Sequence, residues 1–360
     1  MFVLAIGMMG VLALFPLGAA QMANAVKDER CLQTAQMVEG FARIFWRNAY
    51  PSESTPDFLP PPPAVPNSWA FQVEPTLQAF YNPDPTISEV PGNPGMLLTQ
   101  SLIDPGSTDA SFPIFIDPIG RAFQPTLATQ QWVGGVVSGP VGTQQGLPRR
   151  TIAAITNAGG AAAQNTARIR LFSLIDDLSF DMNGNTAAPM SRAGRYNAAF
   201  VLQRPINGGG TNHTRANLTV VVYQNRPVSD TPATETLLAL GQQLTPGDTF
   251  VSFPKSGIPS LRKGSWILIH SQTQSSPNNV LHPIYSYANF YRIVSVQDNG
   301  ANFFLEVSPP LKDNRPPNLP PNQAFWNVGG VPTLTYNANI FALDGVAEVF
   351  DRPMLMATGD

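Results

Sequence analysis

The chain of 360 residues has a single cysteine, Cys31. One thiol can form no intramolecular disulfide and cannot supply the cysteines of a zinc cluster, so it reads as a small, half-buried helix residue. Charge is scarce as well, at 12% of residues against the ~25% usual for soluble domains. The 21 Lys and Arg are balanced by 24 Asp and Glu, so there is no basic surface to recruit nucleic acid, and nucleic acid is not expected as a partner. The histidines number three. His213, His270 and His282 stand in separate loop or strand contexts with no HExxH motif and no pair at helical spacing, so no metal site is expected, and His270 reads as a satisfied strand residue. No Gly-x-Ser-x-Gly elbow is present. Neither "GGVVSG" nor "NGGG" ends in Gly-Lys-Ser/Thr or joins a strand to a helix, so neither is a phosphate loop. No catalytic residue and no cofactor is therefore expected.

Proline and glycine are plentiful, 36 and 29 residues. They cut the chain into short pieces and favour strands and loops over helices. Residues 2–50 are the exception. "FVLAIGMMGVLALFPLGAAQMANAVKDERC" carries no charge as far as Val26 and is almost wholly apolar to Ala20. At ~1.5 Å per helical residue, twenty such residues match the ~30 Å of a bilayer core. Residues 1–20 are thus expected to span a membrane. Ala23-Asn24-Ala25 would serve as a signal-peptidase site, but no basic segment precedes the apolar run in this sequence. Residues 27–50 continue in helical style with no Pro and one Gly, Gly40. Cys31, Ala35, Val38, Ala42, Phe45 and Ala49 recur at alternating steps of four and three, and Glu39 with Arg43 makes an i,i+4 ion pair. Pro51 should end the helix near residue 50, and Pro16 should bend it.

Residues 51–66, "PSESTPDFLPPPPAVP", read as an extended proline-rich connector, and 67–360 as a β-rich soluble head. Up to about residue 150 the strands are brief, as in "SWAFQV" and "FPIFID", and "ATQQWVGGVVSGPVGTQQG" reads as surface loop. Ile169, Phe172 and Ile175 predict a short helix over 166–177. "YNAAFVLQRP" and "ANLTVVVYQNRP" read as a long hairpin around the Gly-rich "INGGGTNHTR", "GSWILIHS" as a strand and "DGVAEVFDRP" as the last one. Asn299-Gly300 marks a tight hairpin turn, because Asn-Gly supplies the positive φ it needs. "DMNGN", residues 181–185, reads as a turn, with calcium as the lesser alternative.

Together these residues resemble the type IV pilin-like proteins, including minor pilins and pseudopilins, and especially the long pilin-like proteins of planctomycete-type bacteria. The likeness is firm over residues 2–50 and looser over about 110–352, through "LPRRT", "DDLSFD", "VLQRP", "LTVVVYQNRP", "YRIVSV" and "GVAEVFDRP". It implies an α+β fold, a long N-terminal helix packed on an antiparallel β-rich head. It also implies a bacterial inner-membrane location with the head in the periplasm, or a place in an extracellular filament. The sequons Asn212-His213-Thr214 and Asn217-Leu218-Thr219 are then incidental. Phe2, Leu4, Ile6, Met9, Leu12, Leu14, Phe15 and Pro16 would hold the membrane and later the filament core. Val38, Phe41, Ala42 and Phe45 would dock the helix on the head. The implied partners are other pilin-like subunits, the inner-membrane assembly machinery and membrane lipid. The family's basic leader, its Gly cleavage site and its early glutamate have no counterpart here, so an in-frame leader upstream of Met1 is the expectation. Two rival readings keep less of the family: an anchored surface binding module that does not polymerise, and a secreted enzyme with a cleaved signal peptide.

Overall fold

A computed structural model describes residues 2–49, 113–118, 133–135, 147, 149–150, 172–174, 196–203, 215–226, 235–255, 261–274, 284–314, 325–327, 331–333 and 336–356. The connector 51–66, "SWAFQV", the "DMNGN" segment, the Gly-rich loop, His213 and His282 lie outside the described residues. Helix α1 (Phe2–Ala49) is followed by β1 (Ile114–Ile116), β2 (Arg149–Arg150), β3 (Tyr196–Gln203), β4 (Arg215–Gln224), β5 (Glu235–Leu244) and β6 (Phe250–Pro254). Then come β7 (Trp266–Gln274), β8 (Ile284–Asp298), β9 (Asn302–Ser308), β10 (Phe325–Asn327), β11 (Val331–Thr333), β12 (Tyr336–Leu343) and β13 (Val346–Met356).

The β-branched and aromatic runs of β3 and β4 pair antiparallel, from Tyr196 opposite Gln224 to Gln203 opposite Asn217. Because side chains alternate across a strand, Ala198, Phe200, Leu218, Val220 and Val222 share one face, and Ala199, Val201, Val221 and Tyr223 share the other. Both faces are buried. This pair is the centre of a five-stranded sheet ordered β13-β4-β3-β1-β2, in which β1 and β2 run parallel.

The second sheet has eight strands. Its pairing runs β5-β12-β7-β8-β9-β6, and β10 and β11 extend from the end of β7. Its two outer strands, β5 and β6, come back together, so it nearly closes into a barrel. Ile267, Ile269, Tyr291, Ile293, Leu305, Val307 and Ile340 fill the interior. Trp266, Leu268, Phe290 and Phe341 alternate with them and point outward onto the five-stranded sheet. Asn299 and Gly300, at φ 90°, make the β8–β9 turn, and the Asn299 side chain accepts from the Ala301 and Asn302 amides.

The expected α+β class, a long helix packed on an antiparallel head, is corrected by this arrangement: the protein is mainly β. Thirteen strands stand against one α-helix among the described residues. Two of the three core clusters contain no residue of α1, one strand pair is parallel, and among the described side chains of α1 the buried ones run from 31 to 42. The barrel interior and the layer between the two sheets are built by strands without α1.

Two local readings meet the structure at single points. The helix predicted over 166–177 is described only at 172–174, where Phe172 is helical and Ser173 bridges to Asn197; the rest of that reading lies outside the described residues. The expected surface loop around Val133 is anchored: Val133 is fully buried, its N–H donates to Leu147 O at 2.9 Å, and the Gly134 N–H donates to Glu235 Oε2 at 3.0 Å. Gly134 sits at φ 66°, and a Cβ there would lie 2.5 Å from the Phe341 ring. Both facts require glycine at this close approach.

Candidate functional site

In α1 the described side chains begin at Pro16, and residues 18–26 are all exposed. Met22 keeps 71% of its surface in solvent, Val26 is exposed too, and no atom lies within 4 Å of a Cβ built on Gly18. Burial starts at Cys31. Cys31, Thr34, Ala35, Val38 and Ala42 recur on one helical face and are all 1% exposed or less. Three of the five are Cys or Ala, so the backbone of α1 comes close to the sheet, against Phe200 and Leu202 of β3, Leu218 and Val220 of β4, and Ala347 and Leu355 of β13. At the rim, Phe41 meets Phe172 edge to face with centroids 5.0 Å apart, and Phe172 stacks on Phe200 at 6.3 Å.

Polar contacts fix the register of the helix. Arg43 Nε donates to Glu39 Oε1 at 3.0 Å, and the other Glu39 oxygen lies 3.7 Å from Arg352 Nε on β13. One carboxylate thus ties helix to sheet. Thr34 turns inward and satisfies its hydroxyl by donating to the Arg30 carbonyl at 2.8 Å. Burial pushes the Cys31 thiol up to about 11; Lys27 opposes this, and Glu348 and Asp28 add to it.

The residues singled out from the sequence fall into two sets. Val38 and Ala42 lie in the core cluster and Phe41 packs at its edge; the Phe45 side chain lies outside the described ones. Phe2, Leu4, Ile6, Met9, Leu12, Leu14 and Phe15 have backbone within α1, with side chains outside the described ones, and Pro16 sits exposed inside an uninterrupted helix. Among the described residues, no helix is long and apolar enough to cross a membrane.

The strands hold two polar clusters that sequence reasoning missed. Asp117, just after β1, and Arg226, just after β4, form a buried two-pronged ion pair, with Arg226 Nη2 at 2.6 Å from Oδ1 and Nη1 at 3.0 Å from Oδ2. Asn197 of β3 closes the group by accepting from Arg226 Nε at 3.1 Å and donating to the Arg226 carbonyl at 3.3 Å, and the guanidinium lies 3.9 Å above the Tyr223 ring. Burial alone would lower the Arg226 pKa, but the charge of Asp117, with help from Tyr223 and the hydrogen bonds, outweighs it and raises the value. In the barrel, Asn314 Nδ2 donates to Ser271 Oγ at 2.7 Å, and Asn289 Nδ2 donates to Asn314 Oδ1 at 3.2 Å. His270 is buried on β7 beside this network. Among the described residues, no group of three or more His, Cys, Asp or Glu could hold a metal ion.

No family model matches the chain. A search of curated proteins finds no significant match either.

Proposed function

We propose that this chain is a non-enzymatic, membrane-inserted pilin-like subunit of a type IV pilus or a type II secretion-like pseudopilus, with its head in the periplasm or outside the cell. One observation carries the reading: α1 runs unbroken for 48 residues, and among its described side chains the buried ones lie between 31 and 42. Residues 18–26, Met22 and Val26 among them, are exposed on this helix with no covering contact among the described residues. Exposed apolar surface on a helix calls for lipid or another helix. In this account Phe2, Leu4, Ile6, Met9, Leu12, Leu14, Phe15 and Pro16 meet lipid first and neighbouring subunits later, and the segment 31–42 keeps the head attached.

The reading is tested by shearing filaments from cells and by fractionating membranes. The protein is expected in the sheared filament fraction. Leu12→Arg should remove it from both fractions, since an arginine at the centre of a span costs about 3 kcal/mol in insertion. A protein found only as monomers in the membrane, with none in sheared material, would favour an anchored binding module instead.

A further inference from the structure

Where α1 crosses β13, two guanidinium groups meet one carboxylate. Arg352 stands opposite Leu218 of β4, a residue of the cluster that packs on α1, so strand alternation puts it on the helix-facing side of the sheet. Its guanidinium lies 4.9 Å from the centre of the Phe350 ring. Its Nε and Nη2 are buried, and neither has a hydrogen-bond acceptor among the described residues. Buried donors are ordinarily paired, and a charged one left unpaired is costly. The Glu39 carboxylate points toward this group but stops short, with Oε2 at 3.7 Å from Arg352 Nε, beyond hydrogen-bond reach.

Arg43 accounts for the gap. Its Nε and Nη2 both reach the other carboxylate oxygen, Oε1, at 3.0 Å, and this two-nitrogen grip holds the carboxylate toward the next turn of the helix. The two possible bonds of Glu39 differ in what they do for docking. The pair with Arg43 lies within α1, so it persists when the helix leaves the sheet and adds nothing to the docked state. A bond to Arg352 exists only in the docked state, so every carboxylate held by Arg43 is withheld from the joint. Arg43 is also the arginine that can be reached from outside, since its side chain is 30% exposed and that of Arg352 14%.

We propose that Arg43 is a brake on the docking of α1: by competing with Arg352 for Glu39 it keeps helix and sheet detachable, and engaging Arg43 elsewhere tightens the joint. The brake is independent of whether α1 anchors or polymerises, so failure of one proposal leaves the other standing. Arg43→Gln stands for the state in which Arg43 is engaged elsewhere, and Gln matches Arg in helix propensity. Labelling of Cys31 by a thiol reagent, in the full chain in detergent, reads the undocked population, because the docked thiol is 1% exposed. Arg43→Gln should slow this labelling about fivefold, the effect of one hydrogen bond gained only on docking. In a Glu39→Gln background the same substitution should leave the rate unchanged, because an amide carries no charge for the two arginines to contest. The proposal is overturned if Arg43→Gln is labelled at the parent rate or faster, or if its slowing persists in the Glu39→Gln background.

Discussion

Replacing Asp117 with alanine is expected to destabilise the protein by about 3–5 kcal/mol, the usual cost of leaving one partner of a buried ion pair alone. That is a large share of the ~5–15 kcal/mol that holds a typical domain folded. The Arg226 side chain is 2% exposed and that of Asp117 1%, so water cannot take over the role of the missing carboxylate. Asn197 and Tyr223 remain, but an amide oxygen and a ring face supply partial charge only. The loss also spreads through the sheet, because Asp117 follows β1, Arg226 follows β4 and Asn197 lies on the strand between them. Urea unfolding checks the size of the effect. The double variant Asp117→Ala/Arg226→Met should recover part of the loss, since it leaves no buried charge behind. A single variant within ~1 kcal/mol of the parent would show that the pair is worth no more than a surface contact.

Val38→Glu is expected to lift α1 off the sheet while the barrel stays folded. Val38 is fully buried between Ala35 and Ala42, and the nearby guanidinium groups of Arg43 and Arg352 already face Glu39. A second carboxylate in this apolar layer must therefore desolvate, take up a proton or leave. The barrel interior contains no residue of α1, so it does not depend on the helix. The single thiol reports the outcome. Cys31 is 1% exposed and its thiol is pushed up to about 11, so the parent should react slowly with a thiol reagent at pH 8. Loss of about 3 kcal/mol of docking free energy raises the undocked population, and hence the labelling rate, roughly a hundredfold. Labelling at the parent rate would show that the helix is not held through Val38.

The same thiol sets a pH dependence. Its folded value lies above the ordinary 9.0, so burying it neutral stabilises the protein fully below pH 9, and this contribution fades as pH rises toward about 11. Through this thiol the docked helix should loosen on the alkaline side.

How far the sequence revealed the fold depended on whether local preference and tertiary position agreed. In β3, β4, β7 and β13 the β-branched and aromatic runs coincide with strands, and Asn299-Gly300 falls at a real hairpin turn. The stripe of Cys31, Ala35, Val38 and Ala42 was legible because helical spacing alone places those residues on one face. β5 was not legible. "ETLLALGQQL" is built from good helix formers, and it becomes a strand because β12 pairs with it and Gly241, at φ 67°, takes up an irregular register. Overlooking β5, β6 and β12 hid the barrel, and with it the mainly β character of the protein. The ion pair of Asp117 and Arg226 is separated by 109 positions in the chain, so it leaves no local signature.

The central claim is that residues 2–31 stay on the protein as part of a working helix. Intact-mass and peptide mass spectrometry of the protein extracted from the membrane fraction test it most directly. The account predicts a mature chain that still contains the peptide from Phe2 to Lys27, and a chain beginning at Val26, after cleavage at Ala25, would contradict it.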